Sequence, residues 1–489
     1  MSTAGPAHRV QSAVVEYGYP QGHLGHLTAE EETAFLNFKT LCAEKGYYKP
    51  GASKDELPSH DDALLLRFLR ARRFHVEEAF KQFQDTEDWR KANQLDKLYE
   101  TIDLDEYEET RRLYPQWTGR RDRRGIPVYV FEVKHLNAKT MSAYEKSAVK
   151  THTKAQTDGK TSPKLLRLFA LYENLTRFVM PLSTAMTDRD HPHTPITQSN
   201  NIVDISGVGL KQFWNLRTHM QDASTLATAH YPETLDRIFI IGAPAFFPTV
   251  WGWIKKWFDP ITTSKIFILS HHDVKKTLET FIEPANIPKK YGGGLEFHFG
   301  DLPVLDPHVE KVLEWDGNRK DFPHGPMYWI ENGRGEGVEK IKALAVGSEA
   351  GKERKIDVCV VTKVLPEAAA AKAATGMGNG HLALLGEGES RSELLRAPTA
   401  TPSLEHLPRD QLLAPTEIPS RPATQEKKEV QDGVLVEASR PELQTFVTAQ
   451  EGELTKLEDL KLSEKAGPHQ TATANLLDPS LHVEEERKV

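Results

Sequence analysis

Glycine and histidine are the residues of this chain that come nearest to a cofactor or metal signature, and neither completes one. Gly207 and Gly209 lie between a predicted strand and a predicted helix, but Gln212 stands where a dinucleotide fingerprint needs its third glycine. The chain contains no Walker A, GxSxG or HExxH sequence. The adjacent His271 and His272 have no partner at metal-ligand spacing. The sequence therefore predicts no enzyme, no metal site and no cofactor.

A tryptophan-rich segment, Pro248–Phe258 (PTVWGWIKKWF), has the composition of a helix that binds a membrane surface. One stripe of this predicted helix consists of Phe247, Val250, Trp251, Ile254 and Phe258. Trp253 and Trp257 fall outside the stripe, and Lys255 and Lys256 lie beside it. Tryptophan rings at the headgroup level with cations toward lipid phosphate are typical of an interfacial helix. A core helix packed on a sheet is the alternative, and the sequence leaves both open.

The elements that must position this segment begin with a small helical module, predicted over residues 28–95. Thr28 and Glu31 form a capping-box pattern that opens a helix, and Gly46 marks its end. Asp61 or Asp62 caps a short second helix, and a third begins near Val76. We expect these helices to share one apolar core.

An α/β domain is predicted to follow over residues 110–303. Short apolar runs of strand type occur at Ile126–Glu132, Asn201–Ile205, Arg237–Ile241 and Lys265–Leu269. Helical patterns at Pro163–Val179 and Leu210–Ala229 separate them. Apolar strands that alternate with helices indicate a buried, mostly parallel sheet.

Composition sets the limits of the folded part. Of 489 residues only 38% are hydrophobic, and Phe446 is the one aromatic residue beyond residue 365. We therefore predict a disordered tail over 364–489, a β-rich extension over 304–363 and a flexible lead-in over 1–27.

Charge and cysteine content exclude several classes of protein. A net charge of −8 argues against nucleic-acid binding, and two cysteines argue for a reducing, cytoplasmic compartment. No apolar run approaches the ~18 residues of a membrane span, so any membrane contact is predicted to be peripheral.

Nine short motifs occur in register over residues 60–295, and together they carry a family resemblance. They are RFLRARRF (67–74), WRK (89–91), YPQ (114–116), Asp122 through Gly125, PVY (127–129), IVD (202–204), YPE (231–233), DPITTSKI (259–266) and PKKYGG (288–293). The chain resembles the CRAL-TRIO family, and within it the phosphatidylinositol/phosphatidylcholine transfer proteins of the secretory pathway.

The resemblance implies a helical module packed on an α/β domain with a deep apolar pocket for one phospholipid. The pocket would be closed by a mobile gate helix, at the position of the tryptophan-rich segment. The family's inositol-phosphate contacts fall on Arg72, Glu233, Thr262 and Lys265, all of matching type. A structural ion pair is the alternative role for Glu233 and Lys265. A buried phosphodiester needs fixed cations and hydrogen-bond donors, which this set supplies.

The family's choline-head contacts fall on Tyr129, Tyr172 and Ser199, with two departures. Thr118 stands where the family has tyrosine, and Asn201 where it has threonine. Loss of an aromatic ring weakens a cage for quaternary ammonium, so phosphatidylinositol is the expected cargo.

The resemblance therefore implies a soluble, monomeric lipid-transfer protein that moves or presents phosphatidylinositol between membranes such as Golgi or endosome. A phosphoinositide kinase is its possible partner. The alternative cargoes are a sterol, an isoprenoid or haem; a scaffold working through the tail is the alternative role.

Overall fold

A computed structural model describes residues 18–51, 57–255, 263–335 and 338–364. Residues 365–489 of the predicted disordered tail lie outside the described residues, as do residues 1–17 of the predicted lead-in. Among the described residues, no helix is long and apolar enough to cross a membrane.

The N-terminal module consists of α1 (Ala29–Glu44), α2 (Asp62–Ala71) and α3 (Val76–Ala92). The capping box is confirmed, because the Thr28 side chain accepts from the Glu31 amide and the Glu31 carboxylate accepts from the Thr28 amide. Asp61 caps α2. The rings of three phenylalanines meet edge to face in the core of this module, namely Phe38, Phe68 and Phe83.

Residues 18–27, here called the N-terminal strap, pack against the body of the protein. Tyr19 is 7% exposed; its hydroxyl donates to the Thr194 carbonyl at 3.1 Å and accepts from Arg189 at 2.7 Å. His23 is 2% exposed. The expectation of a loose lead-in up to residue 27 therefore differs from the structure here, because these two side chains anchor the segment.

A five-stranded sheet follows the short helices α4 (Leu95–Thr101) and α5 (Leu104–Arg111). Its strands are β1 (Gln116–Arg121), β2 (Pro127–Glu132), β3 (Ser199–Asp204), β4 (Leu235–Ile241) and β5 (Ile266–Ile268), in that spatial order. β1 runs antiparallel to β2, and the other pairs are parallel. The predicted mostly parallel sheet is confirmed. β1 had no strand signal because it contains Gly119 and two arginines.

Helices cover the sheet, and one predicted helix is not α-helical over its full length. They are α6 (Ala138–Ala148), α7 (Pro163–Asn174), α8 (Met180–Ala185), α9 (Leu210–His230), α10 (Phe247–Ile254) and α11 (Val274–Phe281). A π-turn, Leu175–Val179, joins α7 to α8 where a regular helix was predicted. The physical reason is Pro181, which has no amide hydrogen to continue the α-helical ladder.

A second sheet, preceded by α12 (Pro307–Val312), is antiparallel. Its spatial order is β6 (Glu314–Trp315), β11 (Ile356–Val364), β8 (Val338–Ala345) and β7 (Met327–Gly335), and the pair β9 (Ser348–Glu349) and β10 (Lys352–Glu353) lies apart. The three strands predicted in the β-rich extension are confirmed. The Trp329 indole donates to the Phe178 carbonyl of the π-turn at 2.9 Å, and the two rings stack. This contact holds the second sheet against α7 and α8.

Candidate functional site

A cavity of about 490 Å³ lies between the α2–α3 turn, α9 and the start of β4. Arg72, Glu233 and Lys265 all line it, so three of the four predicted headgroup residues meet at one place. Thr262 lies outside the described residues. Tyr172, predicted for choline, lines the same cavity.

Glu233 is the charged centre of this cavity. It lies in the turn between α9 and β4 with a left-handed backbone, φ 57°, which non-glycine residues adopt only when the surroundings enforce it. Its carboxylate is 3.3 Å from the Lys265 Nζ and 3.1 Å from the Arg70 guanidinium. Burial alone would raise the pKa of Glu233, but Lys265 and Arg70 hold it below its ordinary value. The carboxylate is therefore ionised and shared by two cations.

Lys265 is 3% exposed and lies directly before β5. Its ammonium donates to the Leu235 carbonyl at 2.9 Å as well as to Glu233. The ion pair that the sequence analysis left as an alternative is therefore present. Although it forms this ion pair, Lys265 also lines the cavity.

The arginines of the RFLRAR motif reach three different parts of the site. Arg67, one helical turn before Arg70, donates to the Pro232 carbonyl at 3.4 Å, while Arg70 pairs with Glu233. Burial lowers the pKa of Arg67 to about 10. Arg72 is exposed at the cavity and has no carboxylate partner within the described part of the chain. Sequence reasoning missed Arg70, although its i, i+3 spacing from Arg67 was a usable signal.

His23 of the N-terminal strap is a second missed residue. Its Nε2 lies 2.9 Å from the Arg70 guanidinium, and its Nδ1 lies 3.0 Å from the Gln21 carbonyl. Arginine can only donate, so Nε2 accepts and Nδ1 carries the proton. Burial, then Arg70, lower the pKa of His23 to about 3. No local sequence pattern predicts this contact across 47 residues.

A buried ion pair supports the turn that carries Glu233. The Tyr231 hydroxyl donates to Glu173 at 2.6 Å, and Arg90 donates to the same carboxylate at 2.7 and 3.0 Å. Burial alone would raise the pKa of Glu173, but Arg90 and Arg177 hold it at about 2. Tyr231 is thereby anchored two residues before Glu233.

Apolar surface continues from the cavity along the inner face of the sheet. Ala227 and Tyr172 belong both to the cavity wall and to a large apolar cluster. Several members of that cluster stay half-buried, among them Val203, Phe213, Met220, Ala223, Ile238, Trp251 and Ile268. An acyl chain laid against them would cover apolar area at about 25 cal/mol per Å².

Comparison with known proteins agrees with this architecture. The CRAL/TRIO domain profile matches residues 111–293, and the CRAL/TRIO N-terminal domain profile matches residues 34–85. The SEC14 cytosolic factor of Eremothecium gossypii is 30% identical over 273 residues, which are 56% of this chain and 79% of the relative. A CRAL-TRIO domain-containing protein of Saccharomyces cerevisiae is 32% identical over 300 residues, 58% of this chain and 87% of the relative. The chain belongs to the CRAL/TRIO family.

Membership of the CRAL/TRIO family makes the chain a lipid-binding protein and not an enzyme, as the sequence analysis predicted. A phosphatidylinositol/phosphatidylcholine transfer protein of Arabidopsis thaliana is also similar, with 34% identity over 244 residues, 48% of this chain and 40% of the relative.

The residues predicted to contact a choline head lie in two places. Tyr129 pairs in register with Asn201, and the Asn201 amide donates to the Ser199 hydroxyl at 3.2 Å, so these three share one face of the sheet. Tyr172 instead packs in the cluster of Tyr231. The structure thus brings Tyr129 and Ser199 together but not Tyr172 with them.

Trp117 is the aromatic neighbour of Tyr129 that the sequence analysis missed. The two residues pair across β1 and β2 and line a small cavity of about 70 Å³. Thr118, where the family has tyrosine, instead donates its hydroxyl to the Val128 carbonyl at 3.0 Å. The register between β1 and β2 decides whether Trp117 or Thr118 lies beside Tyr129. This register cannot be read from the sequence.

The predicted CRAL/TRIO gate is helical over its first part. Phe247 and Val250 of α10 are buried, and Trp251 is half-buried against Phe247 at 6.1 Å between ring centroids. Trp253 and Ile254 belong to the last turn of α10, and their side chains fall outside the described atoms. The predictions for Trp257 and Phe258 likewise lie outside the described residues.

Proposed function

We propose that the protein binds one phosphatidylinositol and moves or presents it between membranes. The observation that carries this proposal is the common cavity of Arg72, Glu233 and Lys265, with Lys265 and Glu233 buried in its wall.

The charges in the cavity suit this headgroup. Lys265 and Arg70 both contact the Glu233 carboxylate, and Arg72 lines the same cavity. A phosphodiester carries one negative charge and needs cations of this kind around it. A carboxylate fixed by two cations is also a good acceptor for inositol hydroxyls, because charge-assisted hydrogen bonds are the strong ones.

The apolar surface beside the cavity supports a diacyl lipid over a soluble inositol phosphate. The half-buried cluster continues from the cavity wall along the sheet and α9. The relative from Arabidopsis thaliana is named for transfer of phosphatidylinositol and phosphatidylcholine. Choline binding receives less support here, since Tyr172 packs apart from Tyr129. A kinase recipient, a Golgi or endosomal target and a monomeric state remain expectations from the family.

The test is the identity of the lipid that the purified full-length protein carries. Lipid extracted from the protein should be identified by mass spectrometry, followed by transfer of labelled phosphatidylinositol between vesicles. We expect one phosphatidylinositol per chain and measurable transfer. A sterol, an isoprenoid or haem in its place, with no inositide transfer, would refute the proposal and favour the alternative cargo.

A further inference from the structure

Tyr172 lies in the wall of the headgroup cavity, together with Glu233 and Lys265. The family resemblance assigned it instead to a choline head. We propose that Tyr172 is a headgroup-binding residue for phosphatidylinositol, which donates its phenol hydroxyl to the inositol phosphate head, and that it is not part of a cage for choline. This inference rests on the proposed function.

Two tyrosines line the cavity, and they differ in what their hydroxyls contact. The Tyr231 hydroxyl donates to Glu173 at 2.6 Å, so it is committed to the fold. The Tyr172 hydroxyl has no hydrogen-bond partner among the described residues, and it is not one of their fully buried, unpaired polar atoms. Because Tyr172 lines the cavity, this hydroxyl opens onto the space where a headgroup would lie. It offers a ligand one donor and two acceptor positions.

Packing fixes the ring of Tyr172 in this position. Its centroid lies 5.4 Å from that of Phe169 and 5.0 Å from that of Tyr231, with interplanar angles of 36° and 37°. The Thr176 hydroxyl donates to the Tyr172 carbonyl at 2.9 Å. The phenol is therefore held at one point of the wall before a ligand arrives, and little conformational entropy is lost when it binds.

The phenol of Tyr172 suits an inositol phosphate head because it keeps its proton. Burial raises the pKa of Tyr172 to about 12, so the hydroxyl is a donor at neutral pH. It can donate to a phosphate oxygen or to an inositol hydroxyl, whereas a trimethylammonium group accepts no hydrogen bond. The open hydroxyl therefore serves an inositol head and not the cation of choline.

A choline cage would need several aromatic rings around one cation, and Tyr172 lies apart from the other candidates. Tyr129 and Trp117 line the small cavity of about 70 Å³, and Tyr172 is not in its wall. The rings that Tyr172 does meet, those of Phe169 and Tyr231, pack against its own ring. Its surroundings are thus those of the residues predicted for the inositol phosphate.

The test separates the hydroxyl of Tyr172 from its ring. Tyr172→Phe removes only the hydroxyl, and Tyr172→Leu removes the aromatic ring as well. Tyr107→Phe is the matched control, because Tyr107 is buried and lines the small cavity instead of the headgroup cavity. The readout is uptake by the full-length protein from vesicles that contain both phosphatidylinositol and phosphatidylcholine. The melting temperature of the delipidated protein is measured alongside.

We expect Tyr172→Phe to lower phosphatidylinositol uptake about threefold to tenfold, the effect of one lost hydrogen bond, and to leave phosphatidylcholine uptake nearly unchanged. Its melting temperature without lipid should equal or exceed that of the parent, because the fold loses no hydrogen bond. Tyr172→Leu should lower inositide uptake at least as much and spare phosphatidylcholine. Tyr107→Phe should take up phosphatidylinositol as the parent does.

Three results would overturn the inference and leave the proposed function intact. The first is parental inositide uptake by Tyr172→Phe. The second is a loss of phosphatidylcholine uptake by Tyr172→Leu that exceeds the inositide loss, which would restore the cage. The third is a melting temperature of delipidated Tyr172→Phe several degrees below that of the parent, which would give the hydroxyl a role in the fold. A parent protein that takes up no phosphatidylinositol would refute the proposed function, and the inference with it.

Discussion

Replacing Lys265 by alanine should abolish most transfer of phosphatidylinositol while the protein stays folded. Lys265 is 3% exposed, and its ammonium lies in the wall of the headgroup cavity. Loss of a charged donor to a buried phosphate costs about 1.5–3 kcal/mol. At 1.4 kcal/mol per factor of ten, transfer should fall about tenfold to hundredfold.

The fold should survive because Glu233 keeps a second cation. Arg70 remains 3.1 Å from the carboxylate, so the charge of Glu233 keeps a partner. The expected loss of stability is that of one hydrogen bond to the Leu235 carbonyl and a truncated side chain, about 1–3 kcal/mol. We expect the melting temperature to fall by a few degrees.

The assay is transfer of labelled phosphatidylinositol and phosphatidylcholine between vesicles at equal protein concentration. Lys265→Met keeps the apolar stem and separates the loss of charge from the loss of volume. Lys276→Ala, at an exposed lysine of α11, is the matched control. Inositide transfer at the parental rate by Lys265→Met would show that Lys265 serves only the ion pair with Glu233.

Three further predictions concern lipid preference, the gate and acid stability. Phosphatidylcholine should transfer several-fold more slowly than phosphatidylinositol, because Thr118 and Asn201 replace choline-site residues; equal rates in the same vesicle assay would contradict this. Trp253→Ala should weaken co-sedimentation with anionic vesicles and leave the melting temperature nearly unchanged; a large drop in melting temperature with unchanged binding would make Trp253 a core residue. The free energy of unfolding should fall as pH drops from 6.5 toward 4, because three histidines take up protons near pH 6.5 when unfolded but stay neutral in the fold. Urea unfolding at pH 7.5 and pH 5 measures this loss, which for His23 alone is on the order of 2 kcal/mol at pH 5, and equal stability at both values would contradict it. The three are His23, with a pKa of about 3, and His219 and His230, each with a pKa of about 4.

Local patterns predicted most elements of the fold, because each depended on neighbours in sequence. The capping box at Thr28 and the apolar strands β2 to β5 are of this kind. β1 and the N-terminal strap escaped prediction, because both are polar and are held by distant partners. Arg121 of β1, for example, is buried against Asp188 and Asp306.

The candidate site likewise contains residues that the sequence predicted and residues that it did not. The family motifs pointed to Arg72, Glu233 and Lys265, which line one cavity. They did not point to His23, because its partner Arg70 is 47 residues away and the contact depends on how the strap folds back. The pairing of Trp117 with Tyr129 was hidden for a related reason, since strand register is a property of the sheet and not of either strand.

The contact of the second sheet with the π-turn has a consequence for folding during synthesis of the chain. The Tyr99 hydroxyl donates to the carbonyl of Met327, 228 residues later in the chain, and Trp329 completes the hydrogen bonding of Phe178. A nascent chain therefore exposes the apolar surface around Phe178 until β7 has left the ribosome. Contacts of such long sequence separation form slowly, so this surface stays exposed longer than one that local contacts cover. Fragments that stop short of β7 should aggregate rather than fold.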